Sequence, residues 1–64
     1  MTVGDNIKRI AEQKGLTMYR IAKQGKVSNS YISEIVSNKR KNPSIDIMKK
    51  IASVLGVTID ELTS

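Results

Sequence analysis

Residues 16–37 read LTMYRIAKQGKVSNSYISEIVS, and the spacing of apolar and hydroxyl residues within them decides the fold. A helix-start signal occurs twice. Leu16-Thr17 is followed by Ile21, and Val27-Ser28 by Ile32. Each time an apolar residue precedes a hydroxyl cap, and a second apolar residue follows four places beyond the cap. This is the hydrophobic-staple pattern, with the Thr17 and Ser28 oxygens accepting from the first backbone N–H groups of two short helices. Between the helices lies Gly25-Lys26, where one residue turns the chain through positive φ. Helices this short do not stand alone, because nucleation costs more than so few further residues return. The rest of the chain has to supply neighbours.

The second helix of the pair has two distinct faces. Ile32, Ile35 and Val36 fall at i, i+3, i+4 and make a stripe to be buried. Ser30, Ser33, Glu34 and Ser37 occupy the opposite side, with Asn29 beside them. A solvated face more often carries long Lys and Glu, which are better helix formers than Ser or Asn. Small hydrogen-bonding side chains let the backbone come close to a surface of donors and acceptors. A DNA major groove admits one helix and offers such a surface in its base edges. A surface helix of indifferent composition would look the same from this face alone.

Composition narrows the classes. Sixty-four residues make one domain (1–64), small enough that folding buries only about 60% of the unfolded surface. Cysteine is absent, which excludes disulfides and thiolate metal sites. Histidine is absent too, removing the commonest general base and metal ligand. The acidic residues are scattered rather than paired, so nothing assembles a catalytic constellation, and the chain is read as a non-enzyme without metal or cofactor. No apolar run approaches the ~20 residues that cross a bilayer, and no signal-peptide pattern occurs, so the expected location is cytoplasmic and nucleoid-associated.

The net charge of +5 is unevenly placed. In residues 1–27, Lys8, Arg9, Lys14, Arg20, Lys23 and Lys26 stand against Asp5 and Glu12. In residues 28–43, Lys39, Arg40 and Lys41 stand against Glu34 alone. Residues 44–64 reverse the balance, with Lys49 and Lys50 against Asp46, Asp60 and Glu61. The excess lies in and around the helix pair, which is the electrostatic footprint of a polyanion ligand. A membrane-surface helix fits poorly, since no helix pairs a Lys/Arg face with bulky aromatic or Leu-rich surface.

Outward from the pair, Thr2-Val3-Gly4-Asp5 caps a first helix whose inward stripe is Val3, Ile7, Ile10 and Ala11, ended by Lys14-Gly15. After the pair, residues 38–43 (NKRKNP) form a loop, with Asn38 a candidate positive-φ stop and Pro43 holding Asn42 extended. Three adjacent cations in a loop are commonly just solvated. These follow directly on the polar helix, where phosphates would flank it. Ser44 opens a fourth helix with Met48, Ile51, Ala52 and Leu55 as main stripe, widened by Ile45, Ile47 and Val54. Its wide apolar arc marks it as the central core element, with Ile47 or Val54 alternatively serving a subunit contact. Gly56 stops it, and Val57 to Leu62 repeats the staple with a Thr58–Glu61 capping box. The expected fold is all-α, a compact five-helix bundle with short connections.

Taken together, Ile7-Lys8-Arg9-Ile10, Lys14-Gly15-Leu16-Thr17, Ile21-Ala22, Val27-Ser28 and Ser30-Tyr31-Ile32-Ser33 resemble the lambda-repressor-like DNA-binding domains of Cro and related repressors, the XRE family. Asn42-Pro43-Ser44, Ile51-Ala52, Leu55-Gly56-Val57 and Glu61-Leu62 continue the match, which spans about Gly4 to Leu62. The resemblance implies a lambda-repressor-like bundle with a helix-turn-helix from Met18 to Val36, where Ala22 lets the two helices approach. It implies base contacts from Ser28, Asn29, Ser30, Ser33 and Glu34. It implies phosphate contacts from Thr17, Ser37, Lys39 and Arg40, to which Tyr19, Arg20 and Lys41 are added from their positions in this chain.

Three departures stand out. The first residue of the second helix is usually glutamine in that family and is Met18 here, so Tyr19 or Arg20 takes over its phosphate contact. The turn glycine usually sits where this chain has Lys26. Either Lys26 adopts the left-handed conformation at a cost of about 1 kcal/mol, or the turn rearranges around Gly25. The family commonly buries an arginine at the position of Ala11 against a glutamate at that of Val36; both are apolar here. Losing one partner alone would strand a charge, whereas replacing both can be neutral.

The expected function is sequence-specific binding of double-stranded DNA by a transcriptional repressor, with helix 28–37 in the major groove. Asn29 is the candidate for a bidentate adenine contact, and Glu34 can accept from a cytosine amino group or merely repel phosphate. The loop cations and some of Lys8, Arg20, Lys23 and Lys26 would add sequence-independent attraction. A homodimer on an inverted-repeat operator is expected, with Val54, Ile59 and Leu62 as candidate dimer residues. The alternative is a protein-interaction module, an antitoxin or adaptor keeping the fold, suggested by an exposed Met18.

Overall fold

Hydroxyl side chains start every helix. In the computed structural model, which describes residues 2–63, Thr2 Oγ1 accepts from Asp5 N–H at 3.0 Å and opens α1 (Val3–Lys14). Thr17 accepts from Arg20 N–H at 3.1 Å and opens α2 (Met18–Gly25). Ser28 does the same for α3 (Asn29–Val36) through Tyr31 N–H at 3.0 Å. Ser44 opens α4 (Ile45–Leu55) and Thr58 opens α5 (Ile59–Thr63), at 3.3 and 3.2 Å. Each cap satisfies one of the orphan donors at a helix start. The element order and the all-α class agree with the sequence reading.

Three helix ends are built alike. Gly15, Lys26 and Gly56 take left-handed φ of 69°, 57° and 70°. The next residue, Leu16, Val27 or Val57, then donates its N–H to the carbonyl of Ala11, Ala22 or Ala52 at 2.9 to 3.0 Å. That is the Schellman closure, and its apolar residue doubles as the staple of the following helix. The sequence carries this as one signal used three times: alanine, three residues, a left-handed position, an apolar residue, a hydroxyl cap. Aligned so, Lys26 stands where the other two copies have glycine. Gly25 is the last residue of α2, and Lys26 carries the strained turn.

The inward stripes meet in one core. Ile7, Ile10 and Ala11 of α1 pack with Ile21 and Ala22 of α2, Ile32 and Ile35 of α3, and Ile51, Ala52 and Leu55 of α4. α4 lies against α1, α2 and α5, and α3 is held between α1 and α2. Two expectations fail here. Ile45, assigned to the apolar arc of α4, is 55% exposed, because it sits in the first turn before the helix reaches the core. Leu62, named for a dimer surface, is fully buried, since α5 docks through it. Ile47, Val54 and Ile59 are partly buried against the core.

One buried polar residue went unread. Asn6 is 1% exposed and its Nδ2 donates to Leu62 O at 2.8 Å, fastening the end of α5 to α1. At the C-terminal end of α3, Gly4 lets α1 cross so closely that any Cβ there would overlap the Ile35 carbonyl oxygen. This contact fixes where α3 sits.

Candidate nucleic-acid interface

The core takes Ile32 and Ile35, so the rotation of α3 is set, and its other side faces out. Ser28, Asn29, Ser30 and Ser33 are exposed, and Glu34 is half-buried. Thr17, Tyr19, Arg20, Ser37, Lys39, Arg40 and Lys41 are exposed as well. Two concavities join these positions. One, on the outer side of α2, is lined by Thr17, Tyr19, Arg20, Lys23 and Gln24 together with Gly15. The other runs between α1, α2 and α3 and brings Lys8 and Glu12 beside Leu16, Thr17, Met18, Ser33, Val36 and Ser37. Thr17 belongs to both, so the start of α2 and the outer face of α3 form one surface.

Hydrogen-bond direction distinguishes the hydroxyls. Thr17 and Ser28 accept from their cap N–H groups, which leaves each O–H able to donate to an incoming acceptor such as a phosphate oxygen or a purine N7. Ser37 differs: its hydroxyl donates to Glu34 O at 3.3 Å.

The loop after α3 is tied down at several points. Asn38 takes φ 67°, as expected of a stop residue, and Asn38 N–H donates to Ile35 O at 3.1 Å. Its side chain is clasped by the start of α1: Thr2 Oγ1 donates to Asn38 Oδ1 at 2.6 Å, and Asn38 Nδ2 donates to Asp5 Oδ1 at 3.3 Å. The Asn38 amide thereby holds the Asp5 carboxyl below the usual carboxylate pKa, aided by the Thr2 backbone N–H. Lys39 and Arg40 N–H groups both donate to Glu34 O, at 3.0 and 3.1 Å. The Arg40 guanidinium reaches Glu34 Oε1 from Nε (3.2 Å) and Nη2 (3.0 Å) and lies 4.7 Å from the centroid of the Tyr31 ring. Tyr31 Oη accepts from Ser44 N–H at 3.5 Å, and Pro43 is buried.

Sequence reasoning missed the Thr2–Asn38–Asp5 clasp and the Glu34–Arg40–Tyr31 cluster. The first joins residues far apart in the chain. The second spans a helix end, where i,i+4 spacing rules no longer apply. Met18, expected as an exposed apolar residue, is half-buried and packs against the core from the groove beside Val36. With the Ala11 side chain also apolar and fully buried, no charge pair forms at that corner among the described residues.

Two capped helices joined by a tight left-handed turn, the second presenting a polar face between cationic flanks, define a helix-turn-helix module. The helix-turn-helix family model matches residues 7–62. The chain is 35% identical over 60 residues to the transcriptional regulator SinR of Bacillus subtilis, covering 94% of this chain and 54% of SinR. It is 34% identical over 62 residues to the immunity repressor of Bacillus phage phi105, covering 97% of this chain and 42% of the repressor. The chain thus spans about half the length of the curated relatives it matches. In three dimensions it superposes on SinR in a crystal structure with DNA at a TM-score of 0.91, with 34% identity over 95% of this chain and 97% of that one. The restriction-modification controller protein C.AhdI of Aeromonas hydrophila matches at 0.87, with 25% identity over 94% and 89% of the two chains. This chain belongs to the XRE-type helix-turn-helix family of transcription regulators.

Proposed function

We propose that residues 1–64 are one DNA-binding domain of a transcriptional repressor, recognising double-stranded DNA with α3 in the major groove. The observation that carries this reading is the outward seam of Ser28, Asn29, Ser30 and Ser33 on a helix whose rotation the core fixes. Asn29 reads adenine, and the three serines donate to or accept from neighbouring base edges. Thr17, Tyr19 and Arg20 on one flank and Lys39 and Lys41 on the other meet phosphates, which set register and supply most of the affinity, while Ser37 donates its hydroxyl proton to the Glu34 carbonyl. Arg40, occupied by Glu34, stands apart from these cations. Two copies on an inverted repeat, with half-sites about one helical turn apart, complete the repressor, which acts in the cytoplasm on the nucleoid. The case for a protein-interaction module loses its main support, since Met18 is half-buried.

Fluorescence anisotropy with random and inverted-repeat duplexes across a salt series tests this. Binding should weaken steeply with salt, with a log–log slope reflecting several phosphate contacts. Asn29→Ala should cost ~1–3 kcal/mol of discrimination while retaining non-specific binding. Binding indifferent to both sequence and salt would overturn the proposal.

A further inference from the structure

Glu34 presents a problem for any polyanion-binding face: it places a carboxylate among the residues that would approach phosphates. Its neighbours at i−4 and i+3 are Ser30 and Ser37, so it stands within the polar seam rather than at its edge. The Arg40 guanidinium answers that charge. Both of its hydrogen bonds go to the same oxygen, Glu34 Oε1, at 3.2 and 3.0 Å. Among the described residues nothing is bonded to Oε2, and the Glu34 side chain keeps 44% of its exposure. Arg40 is itself held from two other sides, by the Tyr31 ring at 4.7 Å and by its backbone N–H on the Glu34 carbonyl.

We infer that Arg40 is a positioning residue for Glu34: it neutralises the carboxylate and fixes its direction, so that Oε2 accepts a hydrogen bond from an exocyclic amino group in the major groove. This rests on the DNA-binding reading above and deepens it. A carboxylate only accepts, so it selects the bases that present a donor there, cytosine through N4 or adenine through N6. It rejects guanine and thymine, which turn O6 or O4 toward it. Without a cation on Oε1 the carboxylate would repel the phosphates on either side of the groove and swing freely about its side-chain torsions. With the pair intact, the loop offers two cations to phosphate, Lys39 and Lys41.

The test is selection of bound sequences from a random-sequence duplex pool, with a salt series on one mixed-sequence duplex. The proteins are wild type, Glu34→Ala, Arg40→Gln, Arg40→Lys and Lys39→Gln, each checked for helix content and melting temperature by circular dichroism. Glu34→Ala and Arg40→Gln should both lose preference for cytosine or adenine at the same operator position, while Arg40→Lys keeps part of it. Lys39→Gln should leave every preference unchanged and flatten the salt slope by about 0.9, one phosphate contact. Arg40→Gln should flatten it by much less. The inference is overturned if Arg40→Gln selects the wild-type sequences with a slope change equal to that of Lys39→Gln, since Arg40 would then be a phosphate contact. It is equally overturned if Glu34→Ala alters no base preference. A wild-type protein that enriches no sequence at all removes the DNA-binding reading itself, a distinct result.

Discussion

Replacing Gly4 with alanine tests the link between the packing of α1 and the placement of the polar helix. Gly4 lies in the first turn of α1, where alanine is ordinarily the better helix former by about 0.5–1 kcal/mol. Were the site open, the substitution would raise stability. The structure predicts the opposite. A Cβ at Gly4 overlaps the Ile35 carbonyl oxygen and comes within 3.0 Å of Asn38 Oδ1, and a backbone carbonyl cannot rotate aside as a side chain does. Relief requires α1 and the end of α3 to part, which strains packing at a cost of about 1–3 kcal/mol. The same movement pulls on the Thr2–Asn38 and Asn38–Asp5 hydrogen bonds, each worth about 1 kcal/mol. After the propensity gain, a net loss of about 2–4 kcal/mol remains, a fall in melting temperature of roughly 10–25 °C for a domain of this size. Thermal unfolding followed by far-ultraviolet circular dichroism reads it directly. A melting temperature equal to or above wild type would refute the close-crossing argument, because the two effects have opposite signs.

Further outcomes are expected elsewhere in the molecule. Lys26→Gly should be about 1 kcal/mol more stable than Lys26→Ala, since both remove the charge and only glycine relieves a φ of 57°; equal stability by urea denaturation would reject the strained turn. Asn6→Ala should cost about 1–3 kcal/mol by orphaning the Leu62 carbonyl, and hydrogen exchange should show α5 opening first. The Asp5 carboxyl has a folded pKa below its unfolded one, so its contribution to stability is full above the unfolded value and is lost as pH falls through the folded value. Acid unfolding curves below about pH 4 should therefore be shallower in Asp5→Asn than in wild type, and an unchanged curve would count against the Asn38 clasp.

Local chemistry in the sequence determined the helices. A hydroxyl cap, an apolar staple and a left-handed turn residue act over a few residues, so Thr17, Ser28, Gly15 and Gly56 could be read without knowledge of the rest. The same periodicity set which side of α3 is buried, because Ile32 and Ile35 are one turn apart and the serines lie opposite. The candidate base-contacting face was legible for that reason. What only tertiary structure decided are contacts between groups distant in the chain or across a helix end. Asn38 joins Thr2 and Asp5, Asn6 reaches Leu62, and Gly4 admits the Ile35 carbonyl. Glu34 closes on Arg40 because the chain has left the helix by then and curls back over Tyr31. Periodicity cannot foresee any of these, since each depends on where elements cross or where the chain turns after a helix ends, rather than on how a helix is made.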